Sequence, residues 1–219
     1  MKILIPLLGK GRRFKEAGYA LPKPLIDVCG KSMIDRVIDN FGRDNHFIFV
    51  TDDSISPFLQ GTIVWGHHTG GAACSCLLAS EYINEEPLII ANCDQIVDIN
   101  PLIDYEGDGC ILTFKANHPK WSYARIHNNR VIEVAEKKPI SEHATVGVYY
   151  LKNGLDFLEG AKRMIKKGIT TNGEFYVAPV YNELVLMGKD IRIHEILPEQ
   201  MHGMGTPEDL KEYEAYLSK

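Results

Sequence analysis

What this chain of 219 residues lacks narrows it first. No apolar run comes near the roughly 20 residues that a membrane-crossing helix needs, so no such helix is expected. The apolar start, Met1 to Pro6, is short, and Lys10, Arg12, Arg13 and Lys15 follow it where a signal peptide would carry a small-residue cleavage site. It reads as a first core strand, and the protein as cytoplasmic. Basic excess is missing too. The net charge is −5, which argues against a nucleic-acid partner but leaves room for a local positive cleft around a small anion. The five cysteines (Cys29, Cys74, Cys76, Cys93, Cys110) are odd in number and scattered. Cys74-x-Cys76 has no second pair at zinc-site spacing, so a structural zinc is not expected and the thiols read as reduced. Linkers, repeats and low-complexity tracts are absent, which points to one continuous domain over 1–219.

What remains is an ordinary globular composition, 45% hydrophobic and 24% charged. Strands are expected at 2–7, 47–50, 63–65 and 87–92, with helices between them at 32–41 and 72–83. Met33, Ile34, Val37, Ile38 and Phe41 recur at helical spacing in the first of these. Such alternation builds an α/β fold, a mostly parallel sheet flanked by helices. Beyond residue 108 the pattern turns to strands at 110–116, 123–127, 131–135 and 144–151, with Asn128-Asn129 as a hairpin turn. Helices return at 154–167, 178–187 and 207–217, where Thr206 is a natural N-cap before Pro207.

The chemistry concentrates where strands end. Gly9-Lys10-Gly11-Arg12-Arg13 follows the first strand, and Pro22-Lys23-Pro24-Leu25 comes soon after. Glycines let backbone N–H groups close on phosphate oxygens, and arginine and lysine supply matching charge. The loop lacks the Lys-Ser/Thr of a P-loop and the third glycine of a dinucleotide fingerprint, and taken alone it suits an ordinary tight turn equally. Asp94, in Asn92-Cys93-Asp94-Gln95 at the tip of an apolar strand, stands where a Mg²⁺ ligand for a nucleotide phosphate belongs; the competing reading is a turn-forming aspartate. Asp98 reads as the cap of the next turn. The small residues of Thr69-Gly70-Gly71-Ala72-Ala73 would let a flat nucleobase lie against the backbone, or simply start a closely packed helix. His67 and His68 read as solvent-facing.

In order, these motifs resemble those of the sugar-phosphate nucleotidyltransferase family, the nucleoside-diphosphate-sugar pyrophosphorylases. That family opens with A-G-x-G-x-R-[LMF] followed by P-K-P-L; here Leu8 replaces the alanine and Arg12 the small Ser or Thr. The resemblance extends through Glu136-Lys137-Lys138-Pro139, Trp121-Ser122-Tyr123-Ala124, Asn172-Gly173-Glu174-Phe175-Tyr176 and Gly205-Thr206-Pro207-Glu208-Asp209-Leu210, nearly the whole chain.

It implies a Rossmann-like (GT-A-like) fold, with a nucleotide half at about 1–107 and a smaller β-rich acceptor part at about 108–219. It also implies a Mg²⁺-dependent enzyme joining a nucleoside triphosphate to a small phosphorylated metabolite. Arg13, Lys23 and Asp94 would be catalytic, with Asp94 on the metal. Leu8, Gly9, Gly11, Arg13, Thr69, Gly71 and Ala72 would hold the nucleotide. Glu136, Lys137, Gly147, Glu174 and Tyr176 would hold the acceptor.

The family's second metal-binding aspartate falls at Gly203 in this chain, so Glu174, Asp209, or phosphates and water must complete the site. The base segment suits a pyrimidine, CTP or UTP. The acceptor would be a sugar 1-phosphate feeding surface-polysaccharide synthesis, or a non-sugar phosphate of the phosphocholine or phospho-amino-acid type. A glycosyltransferase would need an Asp-x-Asp motif, which neither Asp52-Asp53 nor Asp104 with Asp108 supplies. An inactive homologue would have lost Arg13, Lys23 or Asp94. Oligomeric state is left open.

Overall fold

The computed structural model describes residues 1–103 and 105–219; Asp104 lies outside the described residues. Strand β1 (Lys2–Pro6) runs through the Gly9 loop into a short helix, α1 (Arg12–Glu16). A small ribbon, β2 (Asp27–Val28) with β3 (Lys31–Ser32), leads to α2 (Met33–Phe41). Ser32 caps α2 by accepting from the Asp35 N–H at 3.2 Å, and Gly42 ends it at φ 87°. Strands β4 (His46–Thr51) and β5 (Thr62–Trp65) follow, then α3 (Ala72–Leu78) and β6 (Leu88–Ala91). The helix expected to Ile83 stops at Leu78, where hydrogen bonding tightens to a 3₁₀ turn over Ser80–Tyr82.

The remaining elements are β7 (Gln95–Val97), β8 (Gly109–Lys115), β9 (Tyr123–His127), β10 (Arg130–Ala135), β11 (His143–Leu151), α4 (Gly154–Lys166), α5 (Val180–Leu186), β12 (Ile191–Glu195), β13 (Met201–Gly203) and α6 (Pro207–Leu217). Asn128 and Asn129, at φ 47° and 61°, turn the β9–β10 hairpin as expected. Helix α5 begins at Val180 rather than Ala178, because Pro179 is its N-cap. Thr206 caps α6 through the Asp209 N–H at 3.1 Å, with Pro207 at the first helical position.

The large sheet has the order β10-β9-β11-β6-β1-β4-β5, with β8 pairing β11 and β12. Strands β6, β1, β4 and β5 are parallel; β11 joins β6 and β8 antiparallel, and β12 adds to β8 in parallel. Ile3, Leu4 and Ile5 are all fully buried because successive side chains point to opposite, equally covered faces. Ile3 and Ile5 pack in the layer holding Met33 and Val37 of α2, while Leu4 packs in the layer holding Ala73, Phe157 and Leu184 of α3, α4 and α5.

Five strands have no counterpart in the sequence reading: the short β2 and β3, and β7, β12 and β13. The β7–β13 ladder sets Gly203 opposite Gln95 and so brings the C-terminal segment beside Asp94. Asp98 accepts from the Asn100 N–H at 2.9 Å one residue before the turn it was expected to cap, whose N-cap is Ile99.

Candidate active site

The loop after β1 is shaped by Gly11, at φ 58°, and a Cβ there would meet Lys23 Cβ at 3.2 Å. Only glycine combines that backbone conformation with that approach. Phe14, buried, anchors α1 to the core. Because α1 turns here, Arg12 and Arg13 face different cavities: Arg13 lines one with Lys23 and Asp94, and Arg12 lines a second with Gly9 and Gly11.

Lys23 stands in a 3₁₀ turn framed by Pro22 and the buried Pro24. Its ammonium donates to Asp94 Oδ2 and lies 5.8 Å from the Phe14 ring centroid. Burial by itself would lower the Lys23 pKa, but the Asp94 carboxylate more than offsets this and holds it above the ordinary value. The lysine is therefore a permanent cation.

Asp94 Oδ1 is buried with no hydrogen-bond partner. An orphaned carboxylate oxygen is costly unless something completes it, and a hard cation takes oxygen ligands of this kind. Asp94 fits a magnesium site on that ground. Among the described residues no group of three or more His, Cys, Asp or Glu could hold a metal. The protein would therefore contribute few ligands, leaving the rest to phosphates and water, as Mg²⁺ tolerates. Met204 N–H donates to the Asp94 carbonyl at 2.7 Å, fixing the next turn of chain against it. A Cβ on Gly205 would come within 3.2 Å of Asp94 Oδ2 and 3.8 Å of Asp209 Oδ2. Gly205 thus keeps open the space that both carboxylates face.

The cavity holding Asp94 measures about 370 Å³ and the neighbouring one about 310 Å³; Ala72 and Tyr176 line both. In the first, Glu136 is half-buried and accepts from the Ser122 hydroxyl. Burial raises its pKa, while Ser122 and Lys137 pull the other way without cancelling the shift. Lys137 has φ 55°, a left-handed conformation rare for a long side chain. Its ammonium donates to the Tyr176 hydroxyl and lies 4.4 Å from that ring's centroid. Gly147, at φ 77°, interrupts the β11 register, and a Cβ there would strike Gln95 Oε1 at 2.1 Å and Asn92 Nδ2 at 2.3 Å. The amides of Asn92 and Gln95 occupy that space and line the cavity.

The second cavity is walled by Leu8, Gly9, Gly11, Thr69 and Gly71. Gly71, at φ 136°, lies so close to the Phe175 backbone that a Cβ would sit 2.5 Å from both its N and its O. Phe175 N–H donates to Gly70 O at 2.8 Å and Phe175 O accepts from Ala73 N–H at 3.0 Å. Segment 171–176 is in this way strapped across the start of α3. That strap carries Glu174 into the second cavity, with Thr69 and Gly71, and not into the first with Glu136 and Lys137.

The structure therefore gathers Arg13, Lys23, Asp94, Glu136, Lys137, Gly147 and Tyr176 around one cavity, and the glycine loop, base segment and Glu174 around the other. Of the two carboxylates considered beside Asp94, Asp209 shares its cavity and Glu174 does not. His67 and His68 are exposed, and His68 also lines the second cavity. Sequence reasoning missed Asn92, Gln95, Lys120, Ser122 and Thr145 as lining residues. The W-S-Y-A segment held the signal for Ser122 and the strand around Gly147 the signal for Thr145, but nothing local marked Lys120.

No protein-family model and no curated protein sequence matches the chain. Solved structures do. A nucleoside-diphosphate-sugar pyrophosphorylase from Vibrio cholerae aligns with TM-score 0.87 and 26% identity, over 97% of this chain and 99% of that one. A protein from Bacillus anthracis described as a glucose-1-phosphate thymidylyltransferase aligns with TM-score 0.79 and 21% identity, over 99% and 94%. An inositol-1-phosphate CTP transferase from T. maritima shares the fold at TM-score 0.78 and 15% identity, over 100% and 95%. Over nearly its whole length the chain shares the fold of these nucleotidyltransferases, and it sets a glycine loop, a lysine and an aspartate where the strands of that fold end.

Proposed function

We propose that the protein condenses a nucleoside triphosphate with a phosphate monoester in the presence of Mg²⁺, releasing pyrophosphate. The observation that carries this reading is the Lys23–Asp94 pair with its unpartnered Asp94 Oδ1, in a cavity that shares two walls with the glycine-loop cavity. On this reading the glycine-loop cavity is the nucleotide lobe and the Asp94 cavity the acceptor lobe.

An oxygen of the acceptor phosphate forms a new bond to the α-phosphorus. The bond from that phosphorus to the bridging oxygen breaks, and pyrophosphate leaves with the electron pair. The attacking phosphate is already anionic near neutral pH, so no general base is needed; position and charge neutralisation suffice. Lys23 relieves the repulsion between the approaching anions, and Arg13 holds the departing phosphates. Lys137 meets the acceptor phosphate, and Glu136, Asn92 and Gln95 present hydrogen-bonding groups to the rest of the acceptor. Bound at Asp94, Mg²⁺ would act as Lewis acid and template for the triphosphate.

We favour CTP or UTP, because small residues at 69–73 suit a pyrimidine, and a sugar 1-phosphate, because the Vibrio cholerae structure is described as a nucleoside-diphosphate-sugar pyrophosphorylase. A product of that kind would serve surface-polysaccharide synthesis, in the cytoplasm where triphosphates are made. Among the described residues no helix is long and apolar enough to cross a membrane.

Pyrophosphate release tests the reading, with each of the common triphosphates against a panel of sugar 1-phosphates, phosphocholine and phospho-amino acids. Release with CTP or UTP that requires a sugar 1-phosphate is expected. Release only with a non-sugar ester would move the acceptor, and no release with any pair would remove the function.

A further inference from the structure

Tyr176 is one of two residues lining both cavities, and of the two only it carries a polar group. On the acceptor side its hydroxyl takes a hydrogen bond from Lys137, whose ammonium also sits against the ring. On the nucleotide side the Glu174 carboxylate faces the same hydroxyl: burial raises the phenol's pKa, Lys137 pulls it down, and Glu174 adds to the rise. The tether is specific, because Lys137 adopts a left-handed backbone (φ 55°) that sterics disfavour for lysine and that its surroundings must hold.

A ring that is both the wall of one lobe and the anchor of a cation in the next links their occupancies. We propose that Tyr176 couples the lobes by positioning Lys137: a nucleotide packed on one side of the ring sets where the ammonium stands for the acceptor. The proposal rests on the functional reading above. By linkage, an acceptor that engages Lys137 must alter nucleotide affinity by the same factor.

Lysine reactivity tests this without turnover. The protein is acetylated briefly, and labelling is read by mass spectrometry at Lys137, at Lys10 in the nucleotide lobe, and at Lys162 on the surface of α4 as reference. Without nucleotide, Tyr176→Phe should raise Lys137 labelling about threefold, the population change expected from one lost hydrogen bond. Saturating CTP or UTP should protect Lys10 in both proteins and change Lys137 labelling about fivefold in the wild type alone.

Protection of Lys10 with an unresponsive wild-type Lys137 overturns the coupling and leaves the functional reading standing. So does an equal response in Tyr176→Phe. Should Tyr176→Phe not fold, an unresponsive wild-type Lys137 still overturns the coupling, and Tyr176→His takes the place of the variant in the comparison. If no triphosphate protects Lys10, the functional reading fails and the coupling with it.

Discussion

Lys23 and Asp94 lie 71 positions apart in the chain, yet their side chains meet as an ion pair in which only one carboxylate oxygen takes part. The pair leaves Asp94 Oδ1 buried and free for a further ligand. It also makes the two residues interdependent, since removing either leaves a shielded charge uncompensated.

Lys23→Ala should lower kcat by roughly 10²–10³, the loss seen when one group stabilising transition-state charge is removed, while nucleotide affinity changes far less. Steady-state kinetics with a separate nucleotide-binding titration distinguish the two. Turnover at the wild-type rate would remove Lys23 from the mechanism.

Asp94→Asn keeps the shape but removes the charge that pairs Lys23 and would hold Mg²⁺. Turnover should collapse and recover in part with Mn²⁺, which binds nitrogen and oxygen ligands more tightly. Chelation of the wild type should have the same effect, reversed by added Mg²⁺. Normal turnover of the variant at low Mg²⁺ would place the metal elsewhere.

Asp209→Asn and Glu174→Gln separate the two carboxylates considered as partners of Asp94. Asp209 faces the Gly205 gap with Asp94, so its variant should raise the Mg²⁺ requirement. It should also free Lys120, which pairs with it at 3.1 Å. Glu174→Gln should raise the nucleotide KM and leave the Mg²⁺ titration in place. The reverse pattern would reassign both residues.

Glu136→Gln should stabilise the fold at neutral pH while weakening acceptor binding. Burial raises the folded-state pKa of Glu136 above its unfolded value, so between those two values the folded protein holds the extra proton. Its contribution to stability falls as pH rises from about 4.5, the unfolded value, through the folded pKa, and the loss then persists to neutral pH. Melting temperatures of wild type and variant at pH 4 and pH 7 test this. The gap should widen in the variant's favour at pH 7, and a gap independent of pH would show that Glu136 is not strained by burial.

Gly147→Ala should cost about 1–3 kcal/mol from backbone strain alone, before any clash with Gln95 and Asn92. Urea unfolding gives that figure, and acceptor KM should rise with it because both amides line the cavity. Wild-type stability would mean that β11 relaxes at its bulge.

The sequence by itself determined what local chemistry dictates. The apolar run of β1 and the period of Met33, Ile34, Val37, Ile38 and Phe41 announced a strand and a helix, because burial on two faces or on one leaves a readable pattern. Thr206 announced a helix start, and Gly11, Lys23 and Asp94 stood out because strand ends are where an α/β sheet meets its ligands.

The tertiary structure decided everything that depends on remote pairing. Strand β12, a five-residue stretch that alternates only loosely, exists because β8 offers its edge. Strands β7 and β13 are three residues each, and only their pairing brings Gly205 and Asp209 to Asp94. Glu174 looked like its neighbour Tyr176 in the sequence, but the strap across α3 sends its carboxylate to the other cavity. Which cavity a side chain enters is set by long-range backbone hydrogen bonds such as Phe175 to Gly70, and these leave no periodic trace in the chain.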